Sequence, residues 1–143
     1  MTYNVTDLIP HRPPMLLVDK VVDVEKDVSI HAQRTFSQDD PIFKGHFPGH
    51  PVLPGVLGVE ALAQTGALLV NISLGKKAHE TLFFFMSIEK SKFRLPIYPD
   101  DTVDLHVSFG KRRKNIFRFE GVAKIGDKVV TEVSFTAKLE ELD

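Results

Sequence analysis

One stretch of this chain is apolar around its whole circumference when wound as a helix, and that limits what the rest can be. Pro54 suits a first helical turn, where a missing N–H costs nothing, and Gly75 with Lys76 and Lys77 closes the segment after about Ser73. Val56, Leu57, Val59, Leu62, Leu68, Leu69, Val70 and Ile72 point in nearly every direction around it. A helix of that kind in a soluble protein must be enclosed by other elements. Glu60, Gln64 and Asn71, with Gly58 and Gly66, interrupt the run and argue against a membrane span.

The flanking sequence predicts what encloses it. Leu16 to Lys26 is rich in valine and Val28 to Ser37 alternates as a half-buried strand does, with a turn at Lys26-Asp27. Thr81–Phe93, Thr102–Lys111, Ile116–Ile125 and Lys128–Leu139 read as four more strands. Asn115 and Gly126-Asp127 supply hairpin turns, which makes the last three an antiparallel meander. The expectation is an α+β fold, an antiparallel sheet wrapped around one long central helix, formed by a single domain over residues 1–143.

Composition narrows the functional classes. With 18 Lys and Arg against 19 Asp and Glu, the net charge of −1 creates no overall field for nucleic acid or an anionic membrane. The absence of cysteine excludes disulfides and thiolate chemistry and fits a reducing compartment. No basic segment followed by an apolar one opens the chain, so the cytoplasm is the expected location.

The chemistry concentrates between Gly45 and Gln64, GHFPGHPVLPGVLGVEALAQ. Four prolines and two glycines between Gln38 and Pro54 predict an ordered loop, and it carries His46 next to Phe47. Glu60 lies in the helix with Val56, Leu57, Ala63 and Gln64 three and four residues away. Apolar surroundings favour the neutral form of a carboxyl group, which then holds a proton to donate. The first N–H groups of the helix, those of Gly55 and Val56, have no intrahelical partner and can receive an oxygen that gains negative charge. Taken singly, each has a plainer reading: a core histidine, a glutamate bonded to Gln64 or paired with a base, an ordinary Pro-Gly turn. Together they suit elimination of water from a β-hydroxyacyl thioester, with His46 taking the α proton, the Gly55 N–H polarising the carbonyl and Glu60 donating to the β hydroxyl. No metal or organic cofactor is needed for that scheme. His46 and His50 are separated by Pro48 and do not suit one metal. His11, in IPHRPP, reads as structural, and His31, His79 and His106 as partly exposed. Lys111-Arg112-Arg113-Lys114 and the group Lys90, Lys92, Arg94 are solvated faces or docking patches for an acidic partner.

The signature GHFPGHPVLPGVLGVEALAQ, with IPHRPPMLLVDKV before it and SIEKSKFRLPIYPDD after, resembles the FabZ-type 3-hydroxyacyl-acyl-carrier-protein dehydratases of type II fatty acid synthesis over most of the chain. The resemblance implies a hot-dog fold and a homodimer, assembled further as a trimer of dimers, with Glu60 reaching across from the second subunit to His46. It implies conversion of a (3R)-hydroxyacyl chain on the phosphopantetheine of acyl carrier protein to the trans-2-enoyl thioester. Gly55 would hold the thioester carbonyl, with Val56 and Phe47 beside the substrate and Phe83, Phe84, Phe85 and Ile88 lining an acyl tunnel. Glutamate at position 60, where the dehydratase-isomerase relatives carry aspartate, favours dehydration without isomerisation. A thioesterase on the same fold and a non-catalytic carrier-binding module are the competing readings.

Overall fold

The computed structural model describes residues 2–142. A short helix α1 (Val5–Leu8) precedes the hairpin β1 (Lys20–Glu25) and β2 (Ser29–Thr35); a second short helix α2 (Ile42–Gly45) leads to the long α3 (Gly55–Leu74), and β3 (Thr81–Phe93), β4 (Thr102–Arg113), β5 (Ile116–Ile125) and β6 (Lys128–Glu141) follow. All six strands join one sheet in the order β1-β2-β4-β5-β6-β3, and every neighbouring pair is antiparallel. The chain therefore builds one edge first, crosses with α3 to the opposite edge at β3, and fills the middle with the meander. This is the hot-dog arrangement expected from the sequence.

Alternation explains which face meets the helix. Val103, Leu105 and Val107 of β4, Phe117, Phe119 and Ala123 of β5, and Val133, Phe135, Ala137 and Leu139 of β6 are buried, while their polar neighbours face outward. Leu62, Leu68, Leu69 and Val70 of α3 are fully enclosed by them, each worth about 1.5–3 kcal/mol by removal from water. Two glycines let helix and sheet come this close. A Cβ on Gly66 would lie 3.2 Å from the Phe119 ring, and one on Gly121 would lie 3.2 Å from Val133 and 3.4 Å from Leu62. Gly75 ends α3 in the left-handed conformation (φ 70°), and Lys76 N–H bonds to Asn71 O at 2.9 Å.

Several boundaries differ from the sequence expectation for physical reasons. The strand expected from Leu16 begins only at Lys20, because the Leu17 N–H donates to the Gln64 side chain at 2.8 Å instead of to a strand. At the β4–β5 turn the positive φ falls on Lys114 (58°), while Asn115 uses its side chain to bond Leu139 O at 3.0 Å. The α1 turn was not anticipated; Asn4 caps it by accepting from Thr6 N–H. Enclosure of α3 is also incomplete. Val56, at its start, is 68% exposed, and the free edge at β3 leaves Phe84 48%, Met86 54% and Ile88 50% exposed.

On the outer face, His31 and His106 stand opposite each other and stack with ring centroids 4.3 Å apart, and Asp104 accepts from His31 at 2.7 Å and from Gln33 at 2.8 Å. Neither histidine has such a context in its local sequence. Burial, then the neighbouring His31 and Lys124, pull the His106 pKa below its ordinary 6.5 against the opposing pull of Asp104. A histidine lowered in the folded state is protonated more readily when unfolded. Its stabilising effect is thus complete above about pH 6.5 and is lost as pH falls through that value toward the folded pKa. The urea midpoint is expected to decline from pH 7 to pH 5, and His106→Gln to make the decline shallower; an unchanged slope would remove His106 from the account.

Candidate active site

His46 follows directly on α2 in a loop closed by its own backbone. Phe47 N–H bonds to His50 O at 3.0 Å, His50 N–H to Phe47 O at 2.8 Å, and Val52 N–H to His46 O at 2.8 Å. The imidazole Nδ1 lies 2.8 Å from Val52 O. A carbonyl oxygen can only accept, so Nδ1 carries the hydrogen and Nε2 presents a lone pair. The Phe47 ring stacks on the imidazole at 4.1 Å. His46 faces a pocket shared with Leu53, Gly55, Phe93, Leu95, Ile97 and Thr131.

Gly55 is the first residue of α3, and Pro54 before it is extended (ψ 128°). Leu53 N–H bonds to Ile97 O at 2.8 Å, which fixes the approach of the chain. A Cβ on Gly55 would lie 2.8 Å from the Phe93 ring, so the helix start packs closely against that ring, and Gly55 and Phe93 both line the His46 pocket. Phe47 and Val56 border this region, both largely exposed.

Glu60, further along α3, opens onto a different pocket of the chain. Its walls include His11, Ala63, Gln64, Phe83, Phe84, Phe85, Phe119 and Ala137. Gln64 Nε2 donates to Glu60 Oε2 at 2.9 Å. The structure thus brings Phe83, Phe84 and Phe85 to Glu60 and brings Gly55 to His46, but within one chain it does not bring His46 and Glu60 to one cavity. Ile88 lies on β3 opposite Phe135 and lines neither pocket.

His11 was expected to be structural, yet it stands at the Glu60 pocket with Nε2 3.9 Å from Glu60 Oε2. Its Nδ1 is buried and has no partner among the described residues. Burial lowers its pKa, the Glu60 charge works the other way, and Arg12 adds to the lowering. Arg12 holds this corner by donating to Ile9 O, His11 O and Thr6 O at 2.7–2.9 Å. The adjacent His-Arg pair was the available signal; its place in space was not readable from it. Among the described residues, no group of three or more His, Asp and Glu side chains is disposed to hold a metal ion.

The FabA-like domain family matches residues 9–134. A 3-hydroxyacyl-[acyl-carrier-protein] dehydratase FabZ from Caulobacter sp. (strain K31) is 45% identical over 138 residues, 96% of this chain and 85% of that protein. The protein of the same name from Novosphingobium aromaticivorans is 47% identical over 131 residues, 92% and 83% of the two chains. That from Rickettsia bellii (strain RML369-C) is 43% identical over 144 residues, 99% of each. Among solved structures, a chain of the dehydratase heterocomplex ApeI:P from Xenorhabdus doucetiae is similar with a TM-score of 0.84 at 20% identity, covering 98% of this chain and 93% of that one. A thioesterase from Haemophilus influenzae is similar with a TM-score of 0.62 at 15% identity, covering 86% and 78%. At those identities the two structures speak for the fold alone.

Proposed function

The chain belongs to the FabZ-type 3-hydroxyacyl-acyl-carrier-protein dehydratases, within the FabA-like domain family, and we propose that His46 and Glu60, contributed by two copies of the chain, carry out its elimination of water. It is a hydro-lyase of fatty acid synthesis whose substrate is presented by acyl carrier protein. In the proposed scheme the chain operates in the cytoplasm on the (3R)-hydroxyacyl thioester.

The base assignment rests on the tautomer. Nε2 of His46 holds the free lone pair and takes the proton from the α carbon. The Gly55 N–H, at the positive end of α3, donates to the thioester oxygen as charge builds there, an interaction worth about 100- to 1,000-fold in rate at comparable sites. The electrons of the broken Cα–H bond form the double bond. The Cβ–O bond breaks with its pair going to oxygen, and Glu60 gives its proton to that oxygen, so water leaves.

The observation that carries the two-chain site is the position of β3. Phe83, Phe84 and Phe85, at its start, line the Glu60 pocket, and Phe93, at its end, lines the His46 pocket. Among the described residues its far edge is unpaired and apolar, a surface that strand pairing with a second copy would cover. Antiparallel pairing about an axis near Ile88 sets the Phe93 end of one chain beside the Phe83 end of the other. The His46 pocket of one chain then meets the Glu60 pocket of its partner, and the phenylalanines form an apolar wall for the acyl chain. Ile88 becomes a residue of the seam. Helix α3 is long and apolar enough to cross a membrane, but its burial against the sheet accounts for that composition.

Purified protein given a 3-hydroxyacyl carrier thioester is expected to produce the ultraviolet absorbance of a conjugated enoyl thioester with no release of free thiol. Thiol release without enoyl absorbance would replace this reading by thioester hydrolysis.

A further inference from the structure

We infer that Arg34 is a positioning residue for the base: through Asp40, its guanidinium fixes where the loop carrying His46 stands against the sheet. The inference rests on His46 being that base.

The hydrogen bonds between His46 and Val52 tie the loop to itself and orient the imidazole within it. They do not place it relative to the rest of the fold. Downstream, Leu53 N–H does so by bonding to Ile97 O at 2.8 Å. Upstream, α2 is a single turn, too short to hold its own shape, and His46 is the residue on which it ends. Phe43 of that turn is buried, but apolar burial has no direction. The directional tie at its start is Asp40. Its Oδ1 accepts from Ile42 N–H at 3.1 Å, an Asx turn that sets the first residue of α2, and its backbone oxygen accepts from Phe43 N–H at 3.1 Å.

Asp40 is met in turn by Arg34 of β2, with Nη2 3.6 Å from Oδ2. The guanidinium is pinned from two other directions and so cannot drift with the loop. Nη1 donates to Asp19 Oδ1 at 2.9 Å, and Asp19 Oδ2 accepts from Thr35 N–H at 2.8 Å. The buried Phe36 ring lies 5.1 Å from the guanidinium carbon. A planar fork with two donor ends suits this bridge, whereas an ammonium is a single point charge. One oxygen of Asp40 therefore faces a group fixed on the sheet while the other begins α2. Without the link the turn is free to shift, and displacing a catalytic group by about 1 Å costs on the order of 100-fold.

The test is a double-mutant cycle read at the proton-transfer step. Arg34→Met, Asp40→Asn and the double variant are assayed for kcat and for exchange of the substrate α hydrogens with deuterated water, each rate divided by the folded fraction from circular dichroism. Asp40→Asn keeps an acceptor for Ile42 N–H and removes the charge that Arg34 meets; its exchange rate decides alone should Arg34→Met fail to fold. Each single variant is expected to lower both rates about 10- to 100-fold with KM within about threefold of the parent, and the double variant to fall no further than the worse single one. Losses that multiply in the double variant would mark two independent structural effects and overturn the inference, as would exchange within about threefold of the parent in either single variant. His46→Ala, measured alongside, separates the two readings. Exchange that survives it removes the base assignment and this inference together, whereas exchange lost in His46→Ala but kept in Arg34→Met strikes the inference alone.

Discussion

His46→Ala is expected to lower kcat/KM for a 3-hydroxyacyl carrier thioester by about 100- to 10,000-fold, the range in which a positioned general base contributes. The imidazole is held by one bond from Nδ1 to Val52 O and by the Phe47 ring, and its removal leaves the three backbone hydrogen bonds that close the loop in place. Binding should therefore change little while proton abstraction fails. Exchange of the substrate α hydrogens with deuterated water, followed by NMR, reads that step without the leaving group. The parent should catalyse exchange and the variant should not. Activity within tenfold of the parent would place the base elsewhere.

Mixing two inactive variants is expected to restore activity, an effect as large as the loss itself. In a dimer of His46→Ala with Glu60→Gln chains, one centre carries both lesions. The other joins the intact His46 of one chain to the intact Glu60 of its partner. Random reassortment makes about half of the dimers mixed, so about a quarter of the parent activity should return. Co-expression with two different affinity tags isolates the mixed species for assay. If every centre were built within one chain, each centre would retain one lesion and no activity would return.

Periodicity made most of the fold readable. Alternation marked β4, β5 and β6, and the helix spanning Gly55–Leu74 announced itself by its lack of a polar face. The α1 turn was not readable because four residues give no periodic signal. The start of β1 was misplaced because Leu17 and Val18 are buried like strand residues while the Leu17 backbone serves a side chain distant in sequence. At the site, prolines and glycines singled out the His46 loop, and Glu60 stood out as a carboxylate among apolar neighbours. Gln64 and His11 did not, since their importance lies in what the folded chain sets beside Glu60. Polar residues that act through contacts between distant segments leave no trace in local pattern.

The glycine contacts at Gly66 and Gly121 have a reach beyond packing. Gly55 and Glu60 ride on the same rigid rod, and in the proposed dimer they serve two different centres. Wedging the middle of that rod away from the sheet would throw both centres out of alignment at once. Impaired variants with sound chemistry at every reacting group should thus trace back to this seam, remote from any substrate atom.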